Sequence, residues 1–171
     1  RKGVRLAGQV EGVLPLVSVD ARQLSRALTN LLQNALRYTR PGEAILARAT
    51  TLVDEAGVRW ASVTVVDSGA GVAPTDLPHI FERTYRGEAS RARDQRKQAS
   101  DAVVGAGLGL TIARGIVEAH GGSISAISPL PNDLRALIQP LRAATSPYQG
   151  TALTFTLPTL PSHSPAGGEL G

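Results

Sequence analysis

Apolar residues recur along the chain first at short alternating intervals, then at intervals of three and four, then in alternation again. Val4, Leu6 and Val10 alternate loosely with polar positions and predict a strand. "LVSVD" follows, and Asp20 is placed to cap a helix. Leu24, Leu28, Leu31 and Ala35 then recur at helical spacing, which predicts a helix from Ala21 to about Tyr38, ended by Pro41-Gly42. "EAILARATTLV" and "GVRWASVTVVD" read as two strands, with a hairpin turn from Asp54 to Gly57 between them. Beyond Asp67 the character changes. "SGAGVAP" is turn chemistry, "TDLPHIFERTYR" predicts one short helix, and residues 87–106 are polar, basic and small. "LGLTIARGIVEAH" restores the helical period and stops at Gly121-Gly122. "SISAIS" and "TALTFTLP" predict the closing strands. Between them Pro129 to Gly150 is long for a hairpin loop, and "NDLRALIQPLRAA" predicts a helical turn or two. The tail after Pro158 is rich in Pro, Gly and Ser and is expected to fray. The order predicts a sheet with helices, most simply packed on one face.

Composition narrows the picture without redirecting it. The 171 residues suffice for one domain with a real core. No apolar run approaches the roughly 20 residues of a membrane span, and there is no signal-peptide pattern. Cysteine is absent, which excludes disulfides, thiolate metal sites and cysteine nucleophiles. The net charge of +4 is partly local: from Arg83 to Lys97 six Arg and Lys stand against two acids. A solvated loop is the commoner meaning of such a run; an anion-facing loop is the functional one. Aromatic residues are sparse and not interleaved with the basic ones, so stacking on nucleic acid is unsupported.

Three constellations carry chemistry. Asn30 and Asn34 lie four apart on the first helix, and with Arg37 and Gln23 they form one stripe, each within about 40° of Asn30. The leucines lie nearly opposite. A solvent face usually carries Glu and Lys, yet no acid occurs between Asp20 and Glu43. An amide oxygen is a hard ligand suited to Mg²⁺. "DSGAG" closes a strand with Asp67, then Gly69 and Gly71. A strand end and turn explains it; so does a base pocket. A carboxylate accepts hydrogen bonds only, so it takes the exocyclic amine of adenine and repels the carbonyl of guanine. "GAGLGL", from Gly105 to Leu110, opens the second helix, where free N–H groups bind anions; a flexible joint explains it equally well. No Gly-Lys-Ser/Thr follows, so it is not a Walker loop.

Taken in order, these features resemble the ATP-binding catalytic domain of two-component sensor histidine kinases, in the wider fold shared with DNA gyrase, MutL and heat-shock chaperone ATPases. "NLLQNALRYT" resembles the N box, "DSGAG" the first glycine box, "IFERTYR" the F box and "GAGLGLTIARGIVEAHGG" the second glycine box. The resemblance covers roughly residues 3–158. It implies the Bergerat fold: an α+β, two-layer α/β sandwich, with a mixed, mostly antiparallel sheet of about five strands and about three helices on one face. It divides the chain into a catalytic domain over 1–158, with a lid at 72–104 and an unusual insertion at 129–149, and a flexible tail over 159–171.

By similarity, Asn34 would coordinate Mg²⁺ with Asn30 assisting. Arg37, where many members have lysine, would lie near the phosphates and Tyr38 would flank the nucleotide. Asp67 would bind the adenine amine, with Gly69 and Gly71 shaping the pocket. Phe81 would anchor the lid, and Arg83 and Arg86 could reach phosphate. Gly105, Gly107 and Gly109 would let the lid close, and the N–H groups near Leu108 and Leu110 would meet the phosphates. Thr84 replaces a frequent aromatic in the F box; Ser68 and Ala70 are less usual fillers of the first glycine box.

The implied reaction is transfer of the γ-phosphate of Mg-ATP to a histidine on an upstream dimerisation domain absent from this chain, with a response regulator engaged indirectly. His79, His120 and His163 do not fit the acceptor, so the isolated domain is expected to bind ATP and barely autophosphorylate. A cytoplasmic domain is implied, with no nucleic-acid or direct membrane contact, in a parent that spans a membrane in many relatives. Two alternatives stand. A regulatory module would bind nucleotide without catalysis. A gyrase- or MutL-type ATPase needs a glutamate where Asn30 stands, and an amide cannot act as a base.

Overall fold

The computed structural model describes residues 3–83 and 108–161. Five strands form one sheet: β1 (Arg5–Val10), β2 (Ala44–Val53), β3 (Arg59–Asp67), β4 (Ser123–Ile127) and β5 (Thr151–Pro158). Their spatial order is β1-β2-β3-β5-β4. β1 runs parallel to β2 and every other neighbour pair is antiparallel. Parallel neighbours need a crossover, and helix α1 (Ala21–Tyr38) supplies it. The remaining helices are α2 (Gly109–Ala119) and the short α3 (Asn132–Ile138).

The ends of α1 lie where the sequence puts them. Asp20 accepts from the backbone N–H groups of Arg22 and Gln23 at 2.8 and 3.1 Å, which satisfies two of the donors that every helix start leaves over. Those bonds, led by that from Gln23, hold the Asp20 carboxyl below its usual range. The β2–β3 turn is built around Asp54, whose carboxylate accepts from Ala56, Val58 and the Trp60 indole. Gly57 takes φ +79° there, a conformation that L side chains resist.

Strand alternation splits the core in two. Ile45, Val65, Leu153, Phe155 and Leu157 point to one face, where Ala27, Leu31 and Ala35 of α1 meet Ala113 and Val117 of α2. Ala44, Leu46, Val66 and Ala152 point to the other and are covered by Leu130 and Ile138. The five-stranded mixed sheet and its three helices are those expected, with one difference of placement: α1 and α2 share a face, while α3 packs on the opposite one. The four apolar residues that alternation sends there would otherwise lie in water. Burying a Leu- or Ile-sized side chain is worth about 1.5–3 kcal/mol, so Leu130 and Ile138 contribute to ordering the excursion that bears α3. The short helix expected over "TDLPHIFERTYR" is a single 3₁₀ turn, Leu77–His79, with Pro78 inside it. Among the described residues no helix is long and apolar enough to cross a membrane.

Candidate functional site

Asp67 ends β3 and is 4% exposed. Its Oδ1 accepts from Gly69 N at 2.9 Å, and the Thr151 backbone adds a second bond. Burial dominates all the same and, with the Glu43 carboxylate nearby, raises the Asp67 pKa to about 7. Removal from water disfavours the charged form more than two N–H donors favour it. Gly69 lies so close to Tyr38 that a Cβ there would stand 2.7 Å from the Tyr38 carbonyl oxygen. Gly71, at φ +80°, has room for none either, with Gln149 Cβ at 2.7 Å. The two glycines expected to shape a pocket are therefore glycines for steric reasons. Ser68, an unusual filler of this box, is fully buried and ties its end to β2, its Oγ accepting from Ala44 N at 3.0 Å.

The C-terminal end of α1 thus adjoins the Asp67 corner, and two turns earlier the same helix meets α2. A Cβ on Gly109, the first residue of α2, would lie 3.8 Å from Asn30 Oδ1. Asn30 Nδ2 is buried and finds no hydrogen-bond partner among the described residues. A buried amide N–H without an acceptor costs about 1–3 kcal/mol, so the position favours an acceptor brought by another group. Asn34, one turn on, is half-buried on the same stripe. From Asn30 to Tyr38 the helix rises about 12 Å, which separates an amide end from a carboxylate-and-glycine end. Two neutral amides with oxygen atoms to spare suit a hard cation bridged to an anion. Among the described residues no group of three or more His, Asp or Glu is gathered to hold a metal unaided.

The other expected residues fall into place unevenly. Arg37 stacks 6.0 Å from the Tyr38 ring centroid. Leu108 caps α2 and Leu110 packs on the core. Phe81 is packed against the core, and its carbonyl accepts from Thr111 Oγ1 at 3.1 Å, which fastens the segment after the 3₁₀ turn to α2. Arg83 is exposed beside it. Gln23, grouped with the asparagines by helical phase, turns back to the Asp20 carboxylate instead. Arg86, Thr84, Gly105, Gly107 and most of the 72–104 segment lie outside the described residues, as does His163. His79 contacts Glu82, and His120 bridges two helix ends, so both have structural partners.

Glu43, Ser128, Gln149 and Thr151 were not singled out by sequence reasoning. Thr151 is the register partner of Asp67 on β5. Ser128 and Gln149 flank the long excursion, and their partners lie far away in sequence, so no local pattern marks them. A shallow groove of about 430 Å³, lined by Glu11, Arg48, Thr51 and Arg59 among others, lies at the far end of β2 and takes no part in this site.

The domain is thus a mixed five-stranded sheet with α1 and α2 on one face and α3 on the other, carrying a buried carboxylate at the end of β3 and two amides along α1. Residues 19–161 match the family described as histidine kinase-, DNA gyrase B- and HSP90-like ATPases, and the chain belongs to that family. Sensor histidine kinase CusS of Escherichia coli (strain K12) is 39% identical over 142 residues, which are 83% of this chain and 23% of CusS. Sensor protein SphS of Synechococcus elongatus is 42% identical over 107 residues, 63% of this chain and 24% of SphS. The chain therefore spans about a quarter of the length of these curated relatives. Among solved structures, the mycobacterial sensor histidine kinase MprB superposes with a TM-score of 0.68 at 26% identity, covering 94% of this chain and 87% of that one. Full-length ShkA in complex with AMPPNP gives 0.60 at 26% identity, over 92% of this chain and 26% of ShkA.

Proposed function

We propose that this chain is the Mg-ATP-binding catalytic domain of a sensor histidine kinase and delivers the γ-phosphate to a histidine on an upstream dimerisation domain of its parent. The observation that carries this reading is the pairing along α1 of two chemically different ends. A buried Asp67 with close-packed glycines lies at one, and at the other, facing the start of α2, Asn30, whose buried Nδ2 has no partner among the described residues. The sensor-kinase relatives and the AMPPNP complex of ShkA support it.

Each residue has a definable task. Ionised Asp67 accepts from the adenine amine. Gly69 and Gly71 let the chain after Asp67 pack tightly on Tyr38 and Gln149, which sets the wall beside the base. Asn30 donates its free N–H to a phosphate oxygen. Asn34 offers its amide oxygen to Mg²⁺, which neutralises phosphate charge when bound. The first N–H groups of α2, near Leu108 and Leu110, face the same phosphates. Arg37 and Arg83 add positive charge, and Phe81 holds the base of a lid over 72–104. Phosphoryl transfer needs positioning rather than water activation, and no carboxylate stands at Asn30 to supply a base. The domain works on the cytoplasmic side, and a response regulator takes the phosphoryl group from the phosphorylated histidine.

Titration with ATP, ADP and GTP, with and without Mg²⁺, tests the proposal. ATP and ADP should bind, GTP at least tenfold more weakly, and Mg²⁺ should tighten ATP. Equal affinity for GTP would remove the adenine assignment. Phosphate transfer to a supplied dimerisation domain should follow; binding without transfer would make the chain a regulatory nucleotide module instead.

A further inference from the structure

The excursion between β4 and β5 reaches back into the base pocket through a chain of hydrogen bonds. Val72 N donates to Ser128 Oγ at 2.9 Å, and the same hydroxyl donates onward to Gly150 O at 2.8 Å. Gly150 N in turn donates to Gly69 O at 3.0 Å. One side chain thus joins the residue after Gly71 to the strand carrying Thr151. Gly71 is pressed between this hydroxyl and the Gln149 side chain, since a Cβ there would meet Ser128 Oγ at 2.8 Å. Only a group that donates and accepts together can complete the link.

The outer part of the excursion decides where Gln149 and Gly150 lie. Tyr148 is held between two guanidinium groups, Arg142 at 3.9 Å and Arg135 at 4.7 Å from its ring centroid. Arg135 also donates to Tyr148 O at 3.0 Å, and Leu130 N donates to Gln149 O at 2.9 Å. Ala143 N and Ala144 N both donate to Gly42 O at 2.8 Å, which anchors the outside of the loop to the turn after α1. A stacked, charge-assisted cluster is rigid compared with a surface loop of this length. Each of these contacts lies on the sheet face away from α1 and α2, yet the chain of bonds ends on Gly69 and Val72.

We infer that residues 128–150 form a positioning clamp for the base pocket: Ser128 fixes the path from Gly71 to Val72, and the Arg135–Tyr148–Arg142 stack holds Gln149 and Gly150 against it. Ser128 and Tyr148 are positioning residues, acting through Gly69, Gly71 and Val72 rather than on the nucleotide. The inference rests on the nucleotide reading above. Affinity for the base is then set partly from the outer face of the sheet.

Three variants of the chain, Ser128→Ala, Ser128→Thr and Tyr148→Ala, decide it, read by ATP affinity and by amide exchange in peptides covering 69–72 and 62–66. Ser128→Ala should weaken ATP about tenfold and speed exchange over 69–72 while leaving 62–66 protected. Such a loss is the scale of one buried hydrogen bond. Ser128→Thr keeps the hydroxyl and should recover most of the affinity. Tyr148→Ala, remote from the pocket, should weaken ATP about threefold or more and speed the same peptide. Wild-type affinity in folded Ser128→Ala and Tyr148→Ala would overturn the clamp and leave the proposed function standing. So would exchange rising equally in both peptides, since that marks global destabilisation. If Ser128→Ala does not fold, Tyr148→Ala alone decides. Failure of the wild-type chain to bind ATP would overturn the proposed function and the clamp with it.

Discussion

Asp20 donates its backbone N–H to Nε2 of His120 at 3.1 Å, across a separation of 100 residues. The other ring nitrogen of His120 bonds the Ile116 carbonyl at 2.8 Å, so the proton sits on Nδ1 and Nε2 is the acceptor. The start of α1 is thereby locked to the end of α2, the two helices whose far portions carry Asn30 and Gly109.

His120→Ala removes both bonds. It should cost about 1–3 kcal/mol of stability in a denaturant titration, two hydrogen bonds at the usual net value. Nucleotide affinity in the folded variant should stay within about twofold, because the bonds lie at the helix ends away from the cleft. A larger change would give His120 a part in binding.

Asp67→Asn keeps an oxygen for Gly69 N and loses the charge. On the proposed reading it should weaken ATP on the order of a hundredfold, the upper range for one hydrogen bond to a charged group. Calorimetric titration checks this, and unchanged affinity would remove Asp67 from the base pocket.

The raised Asp67 pKa, about 7, carries two consequences of opposite direction. The folded chain holds this proton where the unfolded chain, near 3.8, has lost it. Stability from Asp67 is therefore fullest below about pH 4 and falls as pH rises through 7. Base recognition needs the ionised form, so ATP affinity should rise between pH 6 and 8. Thermal melts and titrations of wild type and Asp67→Asn over that range separate this from the phosphates' own titration. Identical pH profiles for the two proteins would contradict it.

Asn34→Ala should abolish the Mg²⁺-dependent part of ATP affinity and spare most of the Mg²⁺-independent part. Asn30→Ala should do the reverse in part, because Asn30 contributes an N–H donor. Titrations with and without Mg²⁺ check both, and Mg²⁺ dependence intact in Asn34→Ala would exclude it as the metal ligand.

Gly122→Ala would place a Cβ 2.0 Å from Thr156 O, and Gly69→Ala would place one 2.7 Å from Tyr38 O. The first sets the new methyl against a backbone carbonyl beside the α2–β4 turn, which cannot swing aside as a side chain can, and should lower the melting temperature severely. The second should impair ATP binding as well, because it displaces Asp67 Oδ1, 2.9 Å from the same Cβ. Melts and titrations on both variants separate the two effects.

Periodicity and punctuation determined the elements of this protein. Leu24, Leu28, Leu31 and Ala35 mark the buried stripe of α1, Asp20 its start and Pro41-Gly42 its end, and alternation or short apolar runs mark the strands. These signals are local, so the residues that make them are neighbours in the chain. The same holds for the chemistry of the asparagine stripe and "DSGAG", which is legible within one turn of helix or one strand end. What only the tertiary structure decided involves partners far apart in sequence. Strand register set Thr151 beside Asp67, and burial in company with Glu43 raised the acid's pKa. The two-faced sheet gave α3 a surface of its own, apart from the other helices. Packing of α1 on α2 left Asn30 Nδ2 buried without an acceptor among the described residues. Ser128 met Val72, a residue 56 positions away, through one hydroxyl that no spacing rule singles out. Hydrogen bonds of that kind depend on where the sheet brings two loops together, and the sheet exists only once all five strands have paired.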